Sequence, residues 1–106
     1  FRFLEETRRR GITCPVIPGL LPIHSLAQVE KIAGLCGAEI PAELQERLGA
    51  AGDDPEAAAE VGVDWCIEQC SGLLEAGVEG IHYYVLNKAR VMEKVMAGLR
   101  ARKLLI

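Results

Sequence analysis

Apolar positions in this chain follow two rhythms: two short stretches where they run together, and longer ones where they recur every three or four residues. The first run is Cys14-Pro-Val-Ile-Pro-Gly-Leu-Leu-Pro-Ile23. Val16 and Ile17 are β-branched and suit a short strand. Pro18 has no N–H to give a ladder and Gly19 tolerates unusual backbone angles, so the strand is predicted to stop there and a stiff apolar loop to follow. The second run, Gly80-Ile-His-Tyr-Tyr-Val-Leu86, reads as a fully buried strand.

Helices are predicted around these runs. Phe1 to Arg10 places Phe1, Leu4 and Phe3 toward one side, ends in basic residues that suit the negative end of a helix dipole, and stops at Gly11. Ser25 caps a helix to about Cys36 whose apolar residues are Leu26, Val29, Ile32, Ala33 and Cys36, with Gly37 as terminator. Pro41 opens a short helix ending near Gly49. Asp54, Pro55 and Glu56 combine a cap, a preset φ and a first-turn acid, starting a helix that runs to about Ala76 and stops at Gly77. Val61, Trp65, Cys66, Cys70, Leu73 and Leu74 are its expected buried face, and Gly62 is expected to meet a close neighbour. Asn87 caps the last helix, which begins at Lys88 and aligns Val91, Val95 and Leu99 with Met92 and Met96 beside them.

Two strands separated by a long helical region imply parallel pairing, and ligands of such sheets lie beyond the strands' carboxyl ends. Function is therefore expected just after Ile17 and just after Leu86. Two strands alone leave both edges and their apolar faces uncovered. The chain also opens on Phe1 inside a helical pattern, so it is expected to be part of something longer or to pair with another chain.

Composition narrows the picture modestly. The 106 residues suit one small domain, and with 50% apolar residues they can build a core. A net charge of −3 argues against a general nucleic-acid binder, although six of the twelve Lys and Arg residues fall between Lys88 and Lys103, with Glu93 the one acid there. No apolar run approaches the roughly 20 residues that span a bilayer. Cys14, Cys36, Cys66 and Cys70 sit in an ordinary helical composition, so the expected setting is reducing, soluble and cytoplasmic. Cys66 and Cys70 are four apart, the wrong spacing for a redox or zinc knuckle, and read as small core residues.

Three side chains carry candidate chemistry. Ser25-Leu-Ala-Gln28 matches a capping box, with the Gln28 amide returning to the Ser25 N–H. The same amide, one turn past a strand, can offer a donor and an acceptor to a heterocycle. Lys88 stands in a first helical turn, where a cation disfavours the helix and suits an anionic ligand, against the plainer reading of a solvated lysine. His82 reads as a hydrogen-bonded core histidine between strand neighbours of alternating direction.

Gly11-Ile-Thr-Cys-Pro-Val-Ile-Pro-Gly-Leu-Leu-Pro-Ile23, the later Gln28, and His82-Tyr-Tyr-Val-Leu-Asn-Lys88 together resemble the methylenetetrahydrofolate reductase family over nearly the whole chain. The resemblance implies an α/β fold, the C-terminal portion of a (β/α)8 TIM barrel, with residues 1–106 as its last two βα units and the helix before them. It implies FAD as cofactor, bound mainly by the rest of the barrel, and NAD(P)H as reductant. The implied reaction converts 5,10-methylenetetrahydrofolate to 5-methyltetrahydrofolate. The family's folate-contacting glutamine falls on Gln28, and its basic residue after Leu-Asn falls on Lys88, which keeps the charge without arginine's planar fork. Ile32 stands where an aromatic often packs and is not carried over. The family's catalytic acid has no counterpart here, so the chain alone is expected to be inactive. Expected partners are the folate substrate, the remainder of the barrel, and a second copy or another subunit, with no nucleic acid and no membrane. The competing readings are an α/β interaction module that docks through its open strand edges, and a folate-binding barrel without reductase activity.

Overall fold

The computed structural model describes residues 1–85 and 89–102. Along the chain run α1 (Arg2–Arg9), β1 (Gly19–Leu20), α2 (Leu26–Cys36), α3 (Ala42–Ala51), α4 (Pro55–Glu75), β2 (His82–Tyr83) and α5 (Ala89–Ala101). This is a helix-rich α/β arrangement around a small parallel sheet, in which Gly19 pairs with His82 and Leu20 with Tyr83.

The first strand lies beyond Pro18, not before it. The His82 N–H donates to the Pro18 carbonyl at 2.8 Å and the Tyr84 N–H to the Leu20 carbonyl at 2.9 Å. Pro18 opens the ladder, where only its carbonyl is used; having no N–H to give, it also ends the pairing on that side. The second strand is shorter than the apolar run that predicts it, and Leu86, the Asn87 cap and Lys88 lie outside the described residues.

Helix ends follow their local signals closely. Ser25 caps α2 and Gly37 closes it at φ 66°. Asp54 caps α4 with Pro55 in its first turn, and Gly77 follows at φ 93°. Helix α3 runs two residues past its expected end, to Ala51, and Gly52 takes the positive φ.

Strand alternation divides the sheet into two unlike faces. Leu20, Ile81 and Tyr83 pack against a core of Val63, Cys66, Ile67 and Cys70 from α4 and Val95 and Leu99 from α5. Val95, Leu99 and Cys70 are fully buried. On this face the Tyr83 hydroxyl meets the Cys70 sulfur at 3.2 Å, and the two sulfurs of Cys66 and Cys70 lie 4.0 Å apart. The hydrogen bond with Cys70 and burial push the Cys66 thiol up; burial and then Cys70 do the same to the Tyr83 hydroxyl. Both therefore stay protonated at neutral pH, as core groups should. Arg102 donates to the Ser71 hydroxyl at 3.1 Å, and that hydroxyl donates to the Ile67 carbonyl, tying the end of α5 to α4.

The other face carries Gly19, His82 and Tyr84, all exposed. His82 is thus not the core histidine expected; its alternation partner Tyr83 takes the inward place because α4 and α5 both lie on that side. A second cluster of Leu44, Leu48 and Ala58 joins α3 to α4, covered by Ile23, Leu26, Val29 and Trp65. Trp65 is half-buried, with the Arg47 guanidinium 5.6 Å from its ring centre. Leu26, Val29, Ile32 and Ala33 of α2 are half-buried, whereas Cys36 at its end is exposed. In α1 the buried side chain is Thr7, whose hydroxyl donates to the Leu4 carbonyl; Phe1 and Phe3 are exposed, although the edge of the Phe1 ring lies beside Gly72 of α4.

Candidate functional site at the strand ends

The loop leaving β1 is held from below. A Cβ on Gly62 of α4 would run into the Ile23 carbonyl, so the absence of a side chain lets Leu21-Pro22-Ile23 rest directly on the helix. Pro22 is buried in that loop. Immediately afterwards the chain turns into α2, and the Ser25 hydroxyl accepts the Gln28 N–H at 3.1 Å.

The Gln28 side chain folds back along the same turn, but reaches one residue further than a standard capping box. Its Oε1 accepts the His24 N–H at 2.8 Å. A backbone N–H can only donate, which fixes the amide with its oxygen toward His24 and its nitrogen away. That nitrogen comes only to 3.5 Å of the Pro22 carbonyl, at the limit of a hydrogen bond. Capping therefore uses the acceptor half of the amide and leaves donor capacity in the NH2. The two readings of Gln28 are compatible in one conformation.

Parallel pairing then brings the end of β2 to the same place. Leu21, Pro22, His24 and Gln28 from the first βα unit line a notch of about 40 Å³ with Tyr84, Val85 and Val91 from the second. A wider apolar groove of about 290 Å³ opens on the other side of Gln28, where Leu20, Val29, Ile32 and Trp65 are among its lining. Gln28 thus stands on the ridge between the two.

Tyr84 went unremarked in the sequence, where nothing separates it from Tyr83. In the structure it is 52% exposed, and its ring lies over Gly19, where a Cβ would come within 2.7 Å of it. The His82 ring meets it edge-on at 4.6 Å between centroids. Lys88, the second residue expected at the site, lies outside the described residues. Among the described residues no group of His, Cys, Asp and Glu could hold a metal ion, and no helix is long and apolar enough to cross a membrane.

Two parallel βα units whose carboxyl ends meet around a hydrogen-bonding amide and an exposed aromatic ring make this a helix-rich α/β protein. The family model for methylenetetrahydrofolate reductase matches residues 1–100, and the chain belongs to that family. It is 36% identical over 86 residues to "Methylenetetrahydrofolate reductase (NADH) 1" of Arabidopsis thaliana, covering 81% of this chain and 14% of that protein. It is 34% identical over 104 residues to "Probable methylenetetrahydrofolate reductase (NADPH)" of Caenorhabditis elegans, covering 97% of this chain and 16% of the relative. With the 5,10-methylenetetrahydrofolate reductase of Escherichia coli it shares 30% identity over 101 residues, 95% of this chain and 34% of the bacterial protein. The chain therefore spans about a sixth of the plant and animal relatives and about a third of the bacterial one.

Proposed function

We propose that residues 1–106 are the last two βα units, with the helix before them, of a (β/α)8 barrel, and that they form the folate-side wall of a flavin-dependent methylenetetrahydrofolate reductase. The observation that carries this reading is the shared notch of Gln28 and Tyr84, built by the two strand ends in parallel register. Family membership supports the reaction class, and relatives named for NADH and for NADPH support a nicotinamide reductant.

In this reading Gln28 donates from its amide nitrogen to an acceptor on the pterin edge, while His24 and Ser25 hold the side chain and the helix start in place. Preorganisation of this kind reduces the freedom lost when substrate binds. Lys88 is the second proposed folate contact, a point charge suited to an anionic group. FAD is assigned mainly to the part of the barrel outside this chain. The chemistry FAD supplies when bound is two-electron transfer from NAD(P)H to the methylene carbon of 5,10-methylenetetrahydrofolate, giving 5-methyltetrahydrofolate. Assembly with a second copy or a partner subunit, in a cytoplasmic setting, belongs to the same proposal.

The test is spectroscopic. The whole protein should carry yellow flavin that NADH or NADPH bleaches in the absence of oxygen and that methylenetetrahydrofolate then restores. A colourless protein that takes up no FAD overturns the reading.

A further inference from the structure

Helix α4 carries a buried glycine in its interior, Gly62, where alanine would serve the helix better. Its φ is not positive, so the helix backbone itself does not require glycine there. What requires it is the loop above. A Cβ would run into the Ile23 carbonyl, oxygen first and carbon next, and that obstacle is backbone, which cannot swing aside as a side chain can. Among the described residues no N–H or hydroxyl donates to this oxygen. Its direction is therefore set by its seat on the helix, where a Gly62 Cα–H bond points at it.

The other side of the same peptide group holds Gln28. A trans peptide is planar, with its carbonyl and its N–H directed oppositely, and none of the described peptide bonds is cis. The His24 N–H therefore points away from Gly62, and it donates to Gln28 Oε1 at 2.8 Å. The amide nitrogen of Gln28 comes to 3.5 Å of the Pro22 carbonyl in the same loop. Both ends of the carboxamide thus answer to the backbone of residues 22–24, and that backbone answers to Gly62. We infer that Gly62 is a positioning residue, seating the Ile23–His24 peptide so that its N–H holds the Gln28 carboxamide in one orientation. Gly62 itself touches no ligand. The inference rests on the role of Gln28 proposed above and carries it to a residue on the far side of the loop.

The test follows the two half-reactions of the holoenzyme by flavin absorbance. Gly62→Ala should leave flavin reduction by NAD(P)H within about twofold of the unsubstituted rate and slow reoxidation by methylenetetrahydrofolate by about tenfold or more, the effect of misplacing a substrate-orienting group. In a Gln28→Leu background the same substitution should slow reoxidation by less than about twofold more, because the group it displaces is already gone. Gly98→Ala is the control: it places the same methyl in a helix against the Ile67 side chain instead of backbone, and should leave the ratio of the two rates unchanged. Where Gly62→Ala takes up no flavin, His24→Pro carries the test, since it removes the N–H without touching α4 and should give the same selective, non-additive loss. Equal slowing of both half-reactions, effects that multiply in full with Gln28→Leu, or no slowing at all overturns the inference alone. Unchanged reoxidation in Gln28→Leu itself removes the folate role of Gln28, and this inference with it.

Discussion

The two faces of the sheet are built from alternate residues of the same two strands, yet they have opposite characters. On one, Leu20, Ile81 and Tyr83 are pressed against the α4–α5 core, and even the Tyr83 hydroxyl is committed to Cys70. On the other, Gly19, His82 and Tyr84 are exposed, and Tyr84 borders the notch lined by Gln28 of α2 and Val91 of α5. Residues of a single strand thus meet different surroundings according to the face they occupy, whatever their chemical type: Tyr83 packs on the core and Tyr84 is exposed.

This contrast predicts a graded series of stability changes, each measurable by urea unfolding. The largest belongs to the packed face. Leu99 is fully buried where α5 meets α4, so Leu99→Ala removes apolar contact and leaves a cavity, and should cost about 3 kcal/mol. Next comes the platform beneath the loop. Gly62→Ala gains helix propensity but forces the Ile23 carbonyl away, and because the obstacle is backbone it should lose about 2 kcal/mol in spite of that gain. Tyr83→Phe deletes only the hydroxyl that meets Cys70 and should cost about 1 kcal/mol. His82→Ala, on the bare face, should stay within about 0.5 kcal/mol of the unsubstituted protein. A loss at His82 as large as that at Leu99 would show that the two faces are not different in kind.

Much of this arrangement was legible in the residues themselves, and what was not has definite causes. The caps at Ser25 and Asp54 and the glycine stops at Gly37 and Gly77 are local chemistry, and they set helix ends close to where they were expected. The parallel pairing follows from the long helical insertion between two short apolar runs. Pro18 misled because the rule applied to it concerns its missing N–H, whereas its place in the ladder requires a carbonyl. The burial of α1 was misjudged because periodicity says which residues share a side, not which side meets the rest of the chain; Thr7 is buried and both phenylalanines are exposed. Tyr84 was invisible for a related reason, since alternation separates it from Tyr83 without saying which of the two α4 and α5 will cover. Gln28 was recognisable from its spacing to Ser25, but its bond to His24 instead, which leaves its NH2 with only a long contact to Pro22, needed three-dimensional geometry.

The central claim is that Gln28 serves folate chemistry and not merely the start of a helix. Gln28→Leu in the holoenzyme, with the two half-reactions followed separately by flavin absorbance in a stopped-flow instrument, tests this most directly. The account predicts that reduction of the flavin by NAD(P)H proceeds at nearly the unsubstituted rate, while its reoxidation by methylenetetrahydrofolate slows by about tenfold or more, the effect of losing one substrate hydrogen bond to a buried-edge donor. Equal loss in both half-reactions would contradict it and leave Gln28 as a capping residue.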